Sequence, residues 1–358
     1  MRFIFKTRYE QDSRLIKHRG QLFWYALLLL TLLVAPLVLD RFYVGEISFV
    51  FIYAIAGLGL MLLTGYTGQV SLGHAAFLAI GAYAHAYLLA KGLPFIVSLP
   101  AATILTGVVG AIVAIPALRL VGIYLAIATL AFLIIVEQVI TRWVSVTGGG
   151  RGMLVEPVEI FGVALSSPGR FYFLCLVLLV LSLLGVMNLL RAPTGRAMLA
   201  VRDSEIAARS MGINLARTKA TAFGISAALT GLAGVLMAHH TGYISPEAFT
   251  LTISIQLLLL IVVGGLGSLH GVIFGAIFVG FLPQGIALLR DVLPPAVGQL
   301  PGLEPGIFGL ILILFLMFEP HGIYGQWRKV RQFFSELPLY RKATYKRQKT
   351  YLRTERVR

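Results

Sequence analysis

Ten apolar runs dominate the chain, at roughly residues 22–39, 47–63, 70–90, 94–115, 122–140, 171–190, 220–239, 251–263, 272–289 and 305–319. A stretch of about 20 apolar residues wound as a helix matches a hydrocarbon core of about 30 Å, so each run is predicted to be a membrane span. The predicted architecture is an all-α polytopic membrane protein of about ten spans. It has a leader over residues 1–21, a transmembrane body over 22–319 and a tail over 320–358. One long polar interruption, residues 191–219, breaks the body in its second half. With ten crossings, both ends and this island share one side.

Composition agrees with the pattern. Of 358 residues, 58% are hydrophobic and 13% charged, too little polar surface for a soluble domain of this size. The net charge of +15 resembles a nucleic-acid signature only until its placement is considered. The leader, the turn with Arg119, the island and the tail together hold 24 Lys and Arg. The opposite side holds 6: Arg41, Lys91, Arg142, Arg151, Arg170 and Arg290. The positive-inside rule therefore predicts that both termini and the island are cytoplasmic. A basic leader carrying Glu10 and Asp12, followed by a long apolar run and no small-residue cleavage site, is expected to be a retained first span. The single cysteine, Cys175, lies within a span and is expected to be a packing residue.

The island holds six Lys and Arg and two acids, and its local grammar is helical. Asp203 or Ser204 can cap a first turn that Glu205 complements with negative charge. Gly212 stands where a left-handed cap would end the helix. Two short helices at a membrane face suggest a surface built to be pushed on, although topology alone also makes such loops basic.

Two apolar stretches are interrupted by glycine in the same way, at 65–81 and 264–277. Offset by 197 positions, Gly68, Ser71, Leu72, Phe77, Ala79 and Ile80 meet Gly265, Ser268, Leu269, Phe274, Ala276 and Ile277. Matching breaks in two halves point to a transport site, because unwound backbone needs protein or a cavity around it within lipid. The span count makes the two segments parallel. Candidate pathway residues are Gln69, Ser71, Gly73, His74, Gly265, Gly267, Ser268 and His270. Gly267, Gly271 and Gly275 form a small-residue stripe, and Gly73 and Gly81 share a face. Such stripes let helix backbones pack closely, within the chain or against a second subunit.

Chemistry of other kinds finds little support. The run Thr147-Gly148-Gly149-Gly150-Arg151-Gly152 lacks the Gly-Lys-Ser/Thr of a phosphate loop and is expected to be a turn. The chain carries no Walker A sequence. Glu137 lies near the outer end of a span, where it can reach interfacial water. The adjacent His239 and His240 are expected to point in different directions. The tail from 321 carries 11 Lys and Arg against two acids, a composition suited to anionic lipid and not to nucleic acid. An ion-coupled secondary transporter would need a carboxylate near the bilayer centre, and a membrane enzyme would need a catalytic constellation; neither is evident.

Several segments together resemble the LivM-type permeases of branched-chain amino-acid ABC importers. They are Gly68-Gln69-Val70-Ser71-Leu72-Gly73-His74-Ala75-Ala76-Phe77, Gly122-Ile123-Tyr124-Leu125-Ala126-Ile127-Ala128-Thr129-Leu130 and Arg202-Asp203-Ser204-Glu205-Ile206-Ala207-Ala208-Arg209. Gly242-Tyr243-Ile244-Ser245-Pro246-Glu247, Gly264-Gly265-Leu266-Gly267-Ser268 and Phe318-Glu319-Pro320 follow in order. The resemblance implies a subunit in a bacterial inner membrane, paired with a LivH-type permease. It also implies two LivG/LivF-type ATPases, which hold the ATP and Mg, and a substrate-binding protein. No cofactor is implied on this chain. Relatives within the family carry other amino acids, amides and urea. The island then looks like the loop that docks on the ATPase through Arg202, Asp203, Ser204, Glu205 and Arg209, with Gly212 ending its helix. Ile206, Ala207 and Met211 are expected to pack beneath.

Overall fold

A computed structural model describes residues 19–118, 120, 122–157, 159–160, 163–164, 167–292, 302–319 and 321–336. The leader before residue 19, Arg119 and the tail after 336 lie outside the described residues. All ten apolar runs are helical, as a backbone that must satisfy its own polar groups in lipid requires. In chain order they are α1 (Arg19–Val38), α2 (Arg41–Thr67), α3 (His74–Ala90), α4 (Phe95–Ala117) and α5 (Ile123–Arg142). After these come α6 (Pro168–Arg191), the island helices α7 (Pro193–Asp203) and α8 (Glu205–Ser210), and α9 (Leu215–Thr241). α10 (Leu251–Gly264), α11 (Leu269–Val292), α12 (Leu303–Phe318) and α13 (Gly322–Glu336) complete the order. Among the described residues, eight helices are long and apolar enough to cross a membrane, and two shorter apolar helices span 22–38 and 74–90.

Short turns make successive spans antiparallel, so the body has two faces. The island face gathers the α7–α8 elbow, the end of α2, the turn between α10 and α11, and the start of α13. At the far face, Met153–Leu154 pairs antiparallel with Tyr243–Ile244, and the Tyr243 hydroxyl donates to the Arg151 carbonyl. The glycine-rich stretch 147–152 forms the turn beside this small sheet.

Helix α2 is the core. Every residue from 50 to 63 is buried, the pattern of a helix that is apolar all round and enclosed by others. α9 lies along it and packs against α3 and α4 as well. By contrast, α1 exposes Leu22, Phe23, Leu28 and Leu30, and α4 exposes Ile104, Val108 and Ile112. These are the lipid-facing sides.

Two boundaries differ from the sequence expectation. Helix α2 begins at Arg41, well before residue 47, which places Glu46 inside the helix. Helix α9 begins at Leu215, capped by Asn214, whose side chain accepts from Arg217 N–H at 3.0 Å. Residues 215–219 of the island are thus the first turn of a span. Polar residues led the sequence reading to trim both helices, but a helix end can carry charge where it leaves the hydrocarbon.

Candidate functional site

The first break, residues 68–73, turns at Gly68, whose φ of 71° favours a residue without a Cβ. Its unwound backbone is satisfied by side chains from neighbouring helices. Thr129 Oγ1 of α5 accepts from Leu72 N–H at 3.0 Å. Ser254 Oγ of α10 accepts from Ala75 N–H at 3.1 Å. Ser71 Oγ takes Gly73 N–H at 3.3 Å.

His74 closes this arrangement. Its Nδ1 lies 2.9 Å from Ser71 Oγ and its Nε2 2.9 Å from Ser226 Oγ of α9. Ser226 spends its one proton on the Gly59 carbonyl at 2.6 Å, so it can only accept from the imidazole. The network therefore assigns the neutral tautomer with the proton on Nε2, and Nδ1 accepts from Ser71. Ser71 and His74 are fully buried: in this conformation they pin the break and do not face an open passage. Gln69 is also buried, but its Oε1 has no partner among the described residues.

The second break, 264–268, is built alike. Gly265, the counterpart of Gly68, has a φ of 116°. Ser268, the counterpart of Ser71, accepts from Gly271 N–H at 3.1 Å and caps α11. Both breaks lie at the island face, so α2–α3 and α10–α11 run the same way, as the span count predicted. The glycine stripe is a packing device within the chain: a Cβ on Gly271 would meet the Gly264 carbonyl oxygen at 2.7 Å, and one on Gly275 would overlap the Leu260 carbonyl. Gly73 and Gly81 do not share a partner, since Gly73 abuts Thr129 of α5 and Gly81 abuts Gly231 of α9.

The two breaks meet at the elbow. Gly267 N–H points at Met61 Sδ, 3.0 Å away, and a Cβ on Gly65 would lie 2.8 Å from Gly267 N. Arg202, near the end of α7, reaches both. It donates to the Gly65 carbonyl at 3.0 Å, its stem covers Gly68, and its guanidinium flanks Gly267. Its other nitrogens hold Asp203 Oδ1 at 2.9 and 3.0 Å.

Elbow geometry settles the capping alternatives. Ser204, not Asp203, is the N-cap of α8, accepting from Ala207 N–H at 3.2 Å. Gly212, with φ 81°, follows the helix as expected, and Ile213 N–H bonds back to Ala208 O at 3.0 Å. From this cap, positions 205 and 208 turn inward. Ala208 is buried, and Glu205 pairs at 2.7 Å with the Lys219 ammonium, whose side chain is only 3% exposed. Ile206 and Met211 are 83% and 82% exposed. The expectation that Ile206, Ala207 and Met211 pack beneath is thus reversed: they form the outward surface, beside the exposed Arg209.

The candidate pathway residues accordingly fall into three groups. Ser71 and His74 join the buried pin, and Gly265 and Gly267 join the Arg202 contact. Exposed His270 stands apart, its Nε2 2.8 Å from the Tyr25 hydroxyl and its ring stacked on Tyr324. The sequence reading missed Thr129, Ser226 and Ser254, which supply the pin. It also missed Glu46, which accepts from Gln284 Nε2 at 2.6 Å between α2 and α11. His239 and His240 diverge as expected, His239 to His85 at 2.7 Å and His240 to the rings of Phe49 and Phe171.

Residues 43–317 match the family described as branched-chain amino acid transport system, permease component. The chain belongs to that family. The permease is 36% identical over 342 residues to the high-affinity branched-chain amino acid transport system permease protein LivM of Escherichia coli K12, covering 88% of this chain and 77% of that one. It is also 25% identical over 308 residues to the LivH permease protein of the same strain, covering 76% and 91%. A fructose import permease protein of Rhizobium meliloti, FrcC, is 31% identical over 162 residues, covering 43% and 40%. No solved structure matches the permease.

Proposed function

We propose that this permease is one of two transmembrane subunits of an ATP-driven importer for branched-chain amino acids in a bacterial inner membrane. Similarity to both LivM and LivH supports pairing with a related, non-identical subunit. Two cytoplasmic ATPases, which bind ATP and Mg, and a substrate-binding protein complete the assembly. The excess of basic residues beside the island supports a cytoplasmic elbow. The likeness to the fructose permease covers a much smaller share of the chain, which favours amino acids over sugars.

One observation carries the reading: Arg202 of the elbow bonds to Gly65 between the two glycine breaks. Stripping water from an isolated charged group costs tens of kcal/mol in the low-dielectric limit, so a zwitterion needs a passage that opens only transiently. Ile206 and Met211 dock the elbow on an ATPase, with Arg209 at the rim. ATPase closure moves α7 and α8, and Arg202 transmits the movement to both breaks. The passage follows those breaks, and the free amide oxygen of Gln69 is available to the cargo once they part.

The test uses a strain lacking only this subunit and complemented with it. Labelled leucine uptake should be restored and should be competed by valine, but not by urea or glutamate. Competition by urea and not by valine would reject the cargo. The double variant I206D/M211D should insert normally yet lose both uptake and co-purification with the ATPases. Retained uptake in that variant would reject the docking surface.

A further inference from the structure

Helix α13 starts three residues after Phe318, the last residue of α12, so its first turn is held at the membrane surface. Its residues sort by face. Ile323, Trp327, Val330 and Phe334 recur at i, i+4, i+7 and i+11 and fall on one narrow stripe. Ile323 packs on the protein core. Beyond it the stripe leaves the protein: Trp327, Val330 and Phe334 are 56%, 46% and 70% exposed. Arg328, Lys329 and Arg331 lie off the stripe and are exposed. An exposed apolar stripe with a basic flank and a tryptophan is the pattern of a helix lying in the bilayer interface.

The helix is also fastened to the second glycine break. Gly322 packs so closely on that break that a Cβ there would meet Val263 O at 2.6 Å and Gly265 N at 2.5 Å. Tyr324 stacks on His270, the second residue of α11, with ring centroids 5.4 Å apart and planes within 6°. Gln326 donates to Glu319 across the turn between α12 and α13. Movement of α13 relative to the bilayer therefore bears on residues 263–270.

We propose that α13 is an anionic-phospholipid-binding arm, which makes transport respond to the surface charge of the membrane through the second glycine break. Trp327, Val330 and Phe334 enter the acyl boundary, while Arg328, Lys329 and Arg331 meet the headgroups. The eight Lys and Arg of residues 337–358 continue the same charge. At room temperature each basic residue near an anionic surface strengthens its attraction by about fivefold.

The experiment reconstitutes the complete transporter, with Trp24 and Trp143 replaced by Phe so that Trp327 alone reports. Vesicles contain acyl-brominated phosphatidylcholine, with or without phosphatidylglycerol. Trp327 emission should be quenched, and more strongly when the anionic lipid is present. In R328Q/K329Q/R331Q that extra quenching should vanish. Absent quenching, or quenching indifferent to anionic lipid, would overturn the proposal, as would quenching that appears only when the ATPases are omitted, since a protein would then cover the stripe. Uptake should rise with phosphatidylglycerol in the parent and become insensitive to it in Y324L, whose Trp327 should still be quenched. Equal sensitivity in Y324L would overturn the link to the break. The fluorescence readout requires no transport, so its failure is separable from failure of the importer assignment.

Discussion

The Arg202 guanidinium donates to the Gly65 carbonyl at 3.0 Å while gripping the adjacent Asp203 carboxylate at 2.9 Å. One side chain thus joins the end of α7 to the end of α2 across 137 positions of sequence. Hydrogen bonds to charged groups contribute about 1.5–3 kcal/mol. Arg202→Ala is expected to slow leucine uptake roughly ten- to a hundredfold, while the ATPases still co-purify and hydrolyse ATP. Parallel loss of hydrolysis and uptake would show assembly failure in place of lost coupling.

The helix contact between α10 and α11 leaves no space for a methyl group at Gly275, whereas nothing lies within 4 Å of a Cβ on Gly285 of the same helix. Overpacking costs about 1–3 kcal/mol, and more where backbone is struck. Gly275→Ala should lower the melting temperature of the detergent-purified permease well below that of Gly285→Ala. Comparable melting of the two would show that the helices separate freely.

Ser226 carries two bonds, accepting from His74 and donating to Gly59. Ser226→Ala orphans both partners in a buried site, at about 1–3 kcal/mol for each unsatisfied group. Faster proteolysis within residues 68–73 is the expected outcome, with the termini unaffected. An unchanged cleavage pattern would remove the pin.

Lys219 is held in the protein by the half-exposed Glu205. Removing one partner of a buried pair costs about 3–5 kcal/mol, and the exposure of Glu205 reduces this to roughly 2 kcal/mol. Glu205→Gln should destabilise the elbow, and Glu205→Gln with Lys219→Met should recover most of the loss. A double-mutant cycle on thermal unfolding measures the coupling, and additive effects would contradict it.

Span positions were legible because apolar runs of membrane length have one backbone solution. The breaks were legible because glycine is the residue that permits positive φ and close approach, as at Gly68 and Gly275. What joins them was not legible. Nothing local marks Ser226, Ser254 or Thr129 as partners of a break far away in sequence, since serine and threonine in a span more often bond their own helix. The direction of Ile206 was misread because apolar residues default inward. Its register follows from whether Ser204 or Asp203 caps the helix, and both types cap equally well. Glu46 was hidden by a boundary drawn where charge appears, although a helix end tolerates charge before it leaves the protein.

Three separate helices supply the acceptors and donors that hold the unwound residues before α3: α5 through Thr129, α9 through Ser226 and α10 through Ser254. In lipid a released N–H finds no water to replace its lost partner. The segment therefore cannot loosen one bond at a time. It exchanges all three together or none, which makes the permease a switch with two settings, without a graded series between them.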